Sequence, residues 1–126
     1  MNRKVLALCL AIALTILLVG CGADSKSKAS QKAISCGSAV LQICEDYSNH
    51  TITAKEACDK VNEILDEMKY VSELTSDDDN KVPDLSVQVA ISSIAIDLIT
   101  EVHTPTDKSY DKLLEDVETL KNKIDD

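Results

Sequence analysis

From Ala33 to Ile124 the apolar side chains return at intervals of three and four, in four blocks separated by SNHTIT, SDDDNK and the Thr104-Pro105 step. That is the period of an α-helix, whereas the alternation of a half-buried strand appears only briefly, at Val87-Gln88-Val89. The first block carries Ala33, Ile34, Val40, Leu41, Ile43, Cys44 and Tyr47, interrupted at Gly37 and its neighbouring serines. The second follows Thr53-Ala54-Lys55-Glu56, where Thr and Glu three apart form a capping-box signature. It continues through Ala57, Cys58, Val61, Ile64, Leu65, Met68, Val71 and Leu74, with Lys55/Asp59, Glu56/Lys60 and Lys69/Glu73 four apart on the outer side. In the third, Pro83 suits a first helical turn, and LSVQVAISSIAIDLITEV is uncharged until Asp97. Val87, Ala90 or Ile91, Ile94, Leu98 and Val102 set its inner face, and Ala90, Ser92, Ser93 and Ala95 are small enough for close helix approach. Thr104-Pro105-Thr106-Asp107 then supplies a cap, a proline at the first helical position and an acid in the first turn. Tyr110, Leu113, Leu114, Val117, Leu120 and Ile124 follow on one face. Short connections make consecutive helices antiparallel neighbours, so the pattern predicts an all-α antiparallel four-helix bundle, one domain over 33–126.

The chain opens MNRK and continues VLALCLAIALTILLV without a charge before Gly20 and Cys21. A short basic segment, an apolar stretch and then small residues is the arrangement of an export signal. Fifteen apolar residues at 1.5 Å per residue reach about 22 Å, short of a hydrocarbon core of roughly 30 Å, so a retained spanning helix is the weaker alternative. Leu18-Val19-Gly20-Cys21 resembles the lipobox of bacterial lipoproteins: an aliphatic residue, a small or aliphatic one, Gly or Ala, then Cys. The resemblance covers the first 21 residues and implies three events: diacylglyceryl transfer to the Cys21 thiol, cleavage before it, and acylation of the new N-terminus. Leu18, Val19 and Gly20 would be read by the signal peptidase, making 1–20 a signal peptide and Cys21 the first mature residue. More than one acyl chain, at about 0.8 kcal/mol per buried CH₂, anchors firmly without a spanning helix. The expected location is the outer face of the bacterial cell membrane, or the outer membrane of a host that has one. Gly22 stands where an Asp resembles an inner-membrane retention signal.

Residues 21–32, CGADSKSKASQK, lack large apolar side chains and read as the lipidated N-terminus and a flexible tether. All 22 acids lie from Asp24 onward, so removal of Arg3 and Lys4 with the signal leaves 11 lysines and a formal charge of −11. That balance disfavours nucleic acid as a partner and disfavours a folded body lying flat on anionic lipid.

Export permits disulfides. Cys9 leaves with the signal, and the domain keeps Cys36, Cys44 and Cys58. If the first two helices fold back about position 51, Cys44 and Cys58 stand at one height. A Cys44–Cys58 disulfide is then expected to staple the hairpin, adding about 3 kcal/mol in the loop-entropy model. Three reduced core thiols are the alternative, and Cys36 reads as a small buried residue.

Motifs for chemistry are scarce: no HExxH, CxxC, glycine-rich phosphate loop or GxSxG occurs. His50 falls in a turn and His103 at a helix C-terminus, and no serine has a neighbouring base. Asp77-Asp78-Asp79-Asn80 lacks the central Gly and distal Glu of an EF-hand, with Gln88 at the twelfth position, and reads as a solvated loop. Tyr47, Tyr70 and Tyr110 are the only aromatics, too few for a ring-stacking platform. No catalytic residue, metal site or cofactor is therefore assigned. The expected function is a lipid-anchored, non-catalytic envelope protein that contacts another envelope protein. The alternative is a bundle holding a small apolar ligand, and a hydrolase comes third. An exposed apolar strip on the third helix would favour the first, and a closed cavity lined by Val, Ile and Ala the second.

Overall fold

A computed structural model describes residues 28–125. The lipobox residues Leu18, Val19, Gly20 and Cys21 lie outside the described residues, as does Cys9. The described chain forms a four-helix bundle: α1 (Gln31–Ser48), α2 (Ala54–Glu67), α3 (Lys81–His103) and α4 (Asp107–Asp125). A 3₁₀ segment, η1 (Met68–Glu73), continues α2.

Helix α1 packs on α2 and α4, and α3 packs on the same two, while α1 and α3 meet across the diagonal. The shared core is aliphatic, with Val40, Leu41, Val61, Ile91, Ile94, Leu98, Leu113 and Leu120 fully buried. Val102, expected inside, is exposed, because its place on the helical wheel has run past the neighbours near the end of α3.

The helix ends show why the chain breaks where it does. Ser30 caps α1, its hydroxyl accepting from Ala33 N–H at 3.2 Å. At the other end Thr51 N–H donates to Asp46 C=O and His50 N–H to Tyr47 C=O, a Schellman closure with His50 left-handed at φ 61°. Thr53 caps α2 as expected, Glu56 N–H donating to Thr53 Oγ1 at 3.1 Å, while the Thr53 hydroxyl donates to Glu56 Oε1 at 3.2 Å in place of the box's return bond to Thr53 N–H. The cap of α4 is Thr106 rather than Thr104. Ser109 N–H donates to Thr106 Oγ1 and Thr106 N–H to Ser109 Oγ, so Pro105 precedes the helix instead of starting it. In the acidic turn, Asp78 accepts from Thr75 N–H at 2.7 Å.

Helix α2 tightens into η1, where side chains three apart eclipse, so Met68 and Val71 both face the core. Gln88 Nε2 donates to the Met68 carbonyl at 3.1 Å, securing this transition against α3. The tighter winding also changes an expected ion pair: Lys69 meets Asp66 at 3.2 Å, three residues back, while Lys55 and Asp59 pair as the spacing predicts.

The expected Cys44–Cys58 disulfide is absent. Cys36, Cys44 and Cys58 are free thiols with no two sulfurs at or near bonding distance. The fold-back is centred as expected, between Ser48 and Ala54, but equal height does not fix rotation about each helix axis. Cys44 is fully enclosed and feels the carboxylate of Asp97 on α3, whereas Cys58 accepts from Asn62 Nδ2 on its own helix at 3.6 Å. The two thiols have different neighbours and are not brought together.

Diagonal α1 and α3 are bolted at both ends. Asp84, fully buried near the start of α3, accepts from Ser30 N–H at 2.7 Å, Ser30 Oγ at 2.6 Å and Tyr70 hydroxyl at 2.9 Å. Lys32 Nζ stands 4.5 Å from the centre of the Tyr70 ring. At the far end Glu101, also buried, accepts from Tyr47 hydroxyl at 3.2 Å and Ser109 Oγ at 2.8 Å. Both bolts join residues 54 apart, so α1 and α3 run parallel in one register. Tyr110 hydroxyl completes this end by donating to Ser48 Oγ at 3.1 Å.

Between the bolts α1 and α4 approach closely at Gly37, where an added Cβ would lie 2.9 Å from Ile124 Cγ2. Two outcomes follow in urea denaturation of the domain. Asp84→Ala strands three donors and lowers stability by about 3 kcal/mol, while Tyr70→Phe costs about 1 kcal/mol. Gly37→Ala also destabilises, despite alanine's advantage in a helix of about 1 kcal/mol, and truncating Ile124 to Ala costs less in that background than alone.

Candidate functional site

Helix α3 is 23 residues long and carries apolar side chains on every side. Among the described residues it is the one helix long and apolar enough to cross a membrane, by length and composition alone. Its three acids, Asp84, Asp97 and Glu101, are all buried. They share the inner arc with Val87, Ile91, Ile94 and Leu98, and the opposite arc is apolar and uncovered among the described residues. Val82 is 72% exposed, Ile96 63% and Val89 57%, with Leu85 and Ile99 continuing the strip. Their spacing of three, four and seven places them on one side of the helix. Ser92 and Ser93 interrupt it at mid-length, each returning its hydroxyl to a carbonyl one turn back, Gln88 and Val89 respectively.

Asp97 stands at the seam with α4. Burial first, then hydrogen bonding and repulsion from Asp116, raise its carboxyl to about 7. Lys112 of α4 acts in the opposite sense, and Glu101 adds to the rise. Asp116 is held below the usual carboxylate range although burial opposes this, because a protonated Asp97 beside it favours its charged form and Lys112 donates to both its oxygens, at 2.8 and 3.0 Å. With both carboxyls ionised neither can donate, and Asp97 Oδ2 is buried with no partner. A proton on Asp97 supplies the missing donor.

A shallow cleft of about 100 Å³ lies between α3 and α4, lined by Ser86, Val89, Ala90, Ser93, Asp116, Thr119 and Lys123. Small-molecule sites usually enclose about 300–1,000 Å³ with mostly apolar walls. The Val, Ile and Ala side chains that a closed cavity would need are instead packed against one another in the core.

The other sequence candidates do not converge on one place. Burial pushes the Cys44 thiol up to about 12, and Asp97 adds to the rise; burial likewise raises Cys36, the opposite of thiolate activation. His50 sits in the α1–α2 turn and His103 ends α3. Tyr47 and Tyr110 meet at one end of the bundle, ring centres 6.5 Å apart, and Tyr70 serves the other, where burial raises its hydroxyl to about 12. Among the described residues no three His, Cys, Asp or Glu side chains are grouped to hold a metal ion.

The inward acids were missed in the sequence, though a signal existed. On a helix with so few charges, all three acids fall on the arc of the largest aliphatic side chains, and none falls on the arc of Val82, Val89 and Ile96. No family model, curated protein or solved structure matches this chain.

The Asp97 proton gives a pH signature. A carboxyl raised in the folded state favours folding less as pH climbs from the unfolded value near 4 to the folded value near 7. Thermal or urea melts of the domain should show Asp97→Asn more stable than the native chain by more than about 1 kcal/mol at pH 8. That advantage shrinks toward pH 4.5. An equal difference at both pH values contradicts the shared proton.

Proposed function

We propose that the protein is a lipid-anchored, non-catalytic interaction module of a bacterial envelope, held by Cys21 and docking through the outer face of α3. The observation that carries the reading is the uncovered apolar strip from Val82 to Ile99. A domain rich in acids places its carboxylates in water wherever packing allows. On α3 the arrangement is reversed, with acids inside and aliphatic side chains outside. The strip amounts to roughly 500 Å² of apolar surface, in the upper part of the range for monomers and of the kind that marks binding surfaces.

The N-terminal pattern supports the anchor: basic residues, an uncharged apolar run, then Leu18-Val19-Gly20-Cys21. Six residues, 22–27, separate an anchor at Cys21 from the first described residue, Lys28. The apolar-ligand alternative has less to draw on, since the α3–α4 cleft is small and partly polar.

Two measurements test the two halves. When the full-length chain is expressed in a bacterium fed labelled palmitate, the native protein is cut, labelled and membrane-bound, and Cys21→Ser is neither cut nor labelled. If both forms stay uncut and unlabelled, the spanning-helix reading wins. A photo-crosslinking residue at Ile96 yields protein adducts in intact envelopes, and one at Glu118, exposed on the far side of α4, yields none. Equal yields at both positions remove the α3 face as a docking surface.

A further inference from the structure

We infer that the exposed face of α3 docks a second copy of the same chain, in an antiparallel two-fold pair centred between Ser92 and Ser93. This names the partner in the interaction reading above and rests on it.

Three observations choose this occupant. The first is charge. All 22 acids of the sequence lie from Asp24 onward, with 11 lysines in the same stretch, so two copies repel over most approaches. From Val82 to Val102 the three acids of α3 are all turned inward, so its outer face is a neutral surface on which like-charged copies can meet. A basic partner would be drawn to the acidic surfaces instead of this one. A bilayer fits less well, because the strip has no Trp, Phe or Tyr and no row of flanking lysines.

The second is symmetry. A two-fold contact requires one patch to complement itself. Val89 and Ile96 lie equally far from the midpoint of Ser92 and Ser93, as do Ser86 and Ile99, and Leu85 and Thr100. An antiparallel crossing therefore sets Val89 against Ile96 on both sides of the centre, with the serines where the backbones come closest. It also opposes the two helix dipoles and brings Lys81 to the C-terminal end of the other α3, whose free carbonyls favour a cation. A parallel pair would set Lys81 against Lys81.

The third is area. The strip offers roughly 500 Å² of apolar surface and is bordered by half-exposed Ser86, Ser92, Ser93 and Thr100. Together these reach roughly 600 Å² per partner, the lower end of the range for specific interfaces.

Thiol crosslinking of the full-length protein in the membranes of an expressing bacterium tests this. Cys36, Cys44 and Cys58 are buried, and Ser93→Cys adds a thiol at a half-buried position beside the strip. A short bis-maleimide should link Ser93→Cys into a species of twice the mass. Adding Val89→Asp should cut the yield at least tenfold, and Glu118→Cys should give none. Val82→Cys should link to His103→Cys in mixed expression and not to itself. A Ser93→Cys chain linked only to a different protein overturns self-association and leaves the interaction reading standing. If Ser93→Cys reacts fully with a monofunctional maleimide yet links to nothing, self-association falls, and the interaction reading is then decided by the Ile96 photo-crosslink, which needs no thiol on the partner.

Discussion

The rotation of α3 about its own axis is held by two buried carboxylates, Asp84 and Glu101. Because this helix is aliphatic on every side, burial alone discriminates weakly between rotations that turn one apolar arc or another inward. A buried carboxylate discriminates strongly, since without donors it costs several kcal/mol. Asp84 finds donors on Ser30 and Tyr70, Glu101 finds them on Tyr47 and Ser109, and Asp97 meets Asp116 across the α4 seam. Only one rotation satisfies Asp84 and Glu101 together, and it turns Val82, Val89 and Ile96 outward.

The rest of the bundle follows from the same bolts. Parallel register between α1 and α3 is set twice, about 26 Å apart along α3, so the intervening aliphatic layers need only fill space. The tyrosines work at the two ends as donors with apolar bodies, while the centre is built from Leu, Ile, Val and Met. Three reduced thiols join that filling as small apolar groups. The Asp97–Asp116 pair is the least comfortable of the contacts: burial and Asp116 both raise the Asp97 carboxyl, and Lys112 acts in the opposite sense from α4.

Much of the fold was legible because helices announce themselves locally. The three-and-four spacing, the Thr53/Glu56 box and the polar breaks depend on neighbours along the chain, and the four helices appear where those signals place them. What was not legible depends on rotation between elements. Cys44 and Cys58 are equally distant in sequence from the turn at position 51, but their azimuth depends on how α1 and α2 face α3, which spacing from a turn does not encode. The cap at Thr106 instead of Thr104 turns on a reciprocal bond with Ser109, a residue less usual than Glu at that position of the box. The η1 segment has no strong sequence mark, and it altered the Lys69 pairing. The outer strip was half visible: α3 was recognised as the most apolar segment, but which arc stays outside is decided by its acids.

The orientation of α3 is most directly measured by thiol reactivity in Val89→Asp, a background in which the added charge keeps copies apart. If the carboxylates fix the helix as described, Ile96→Cys reacts with a maleimide nearly as fast as an unfolded thiol, whereas Ile94→Cys reacts only on unfolding. Protection of Ile96→Cys together with rapid modification of Ile94→Cys would contradict it.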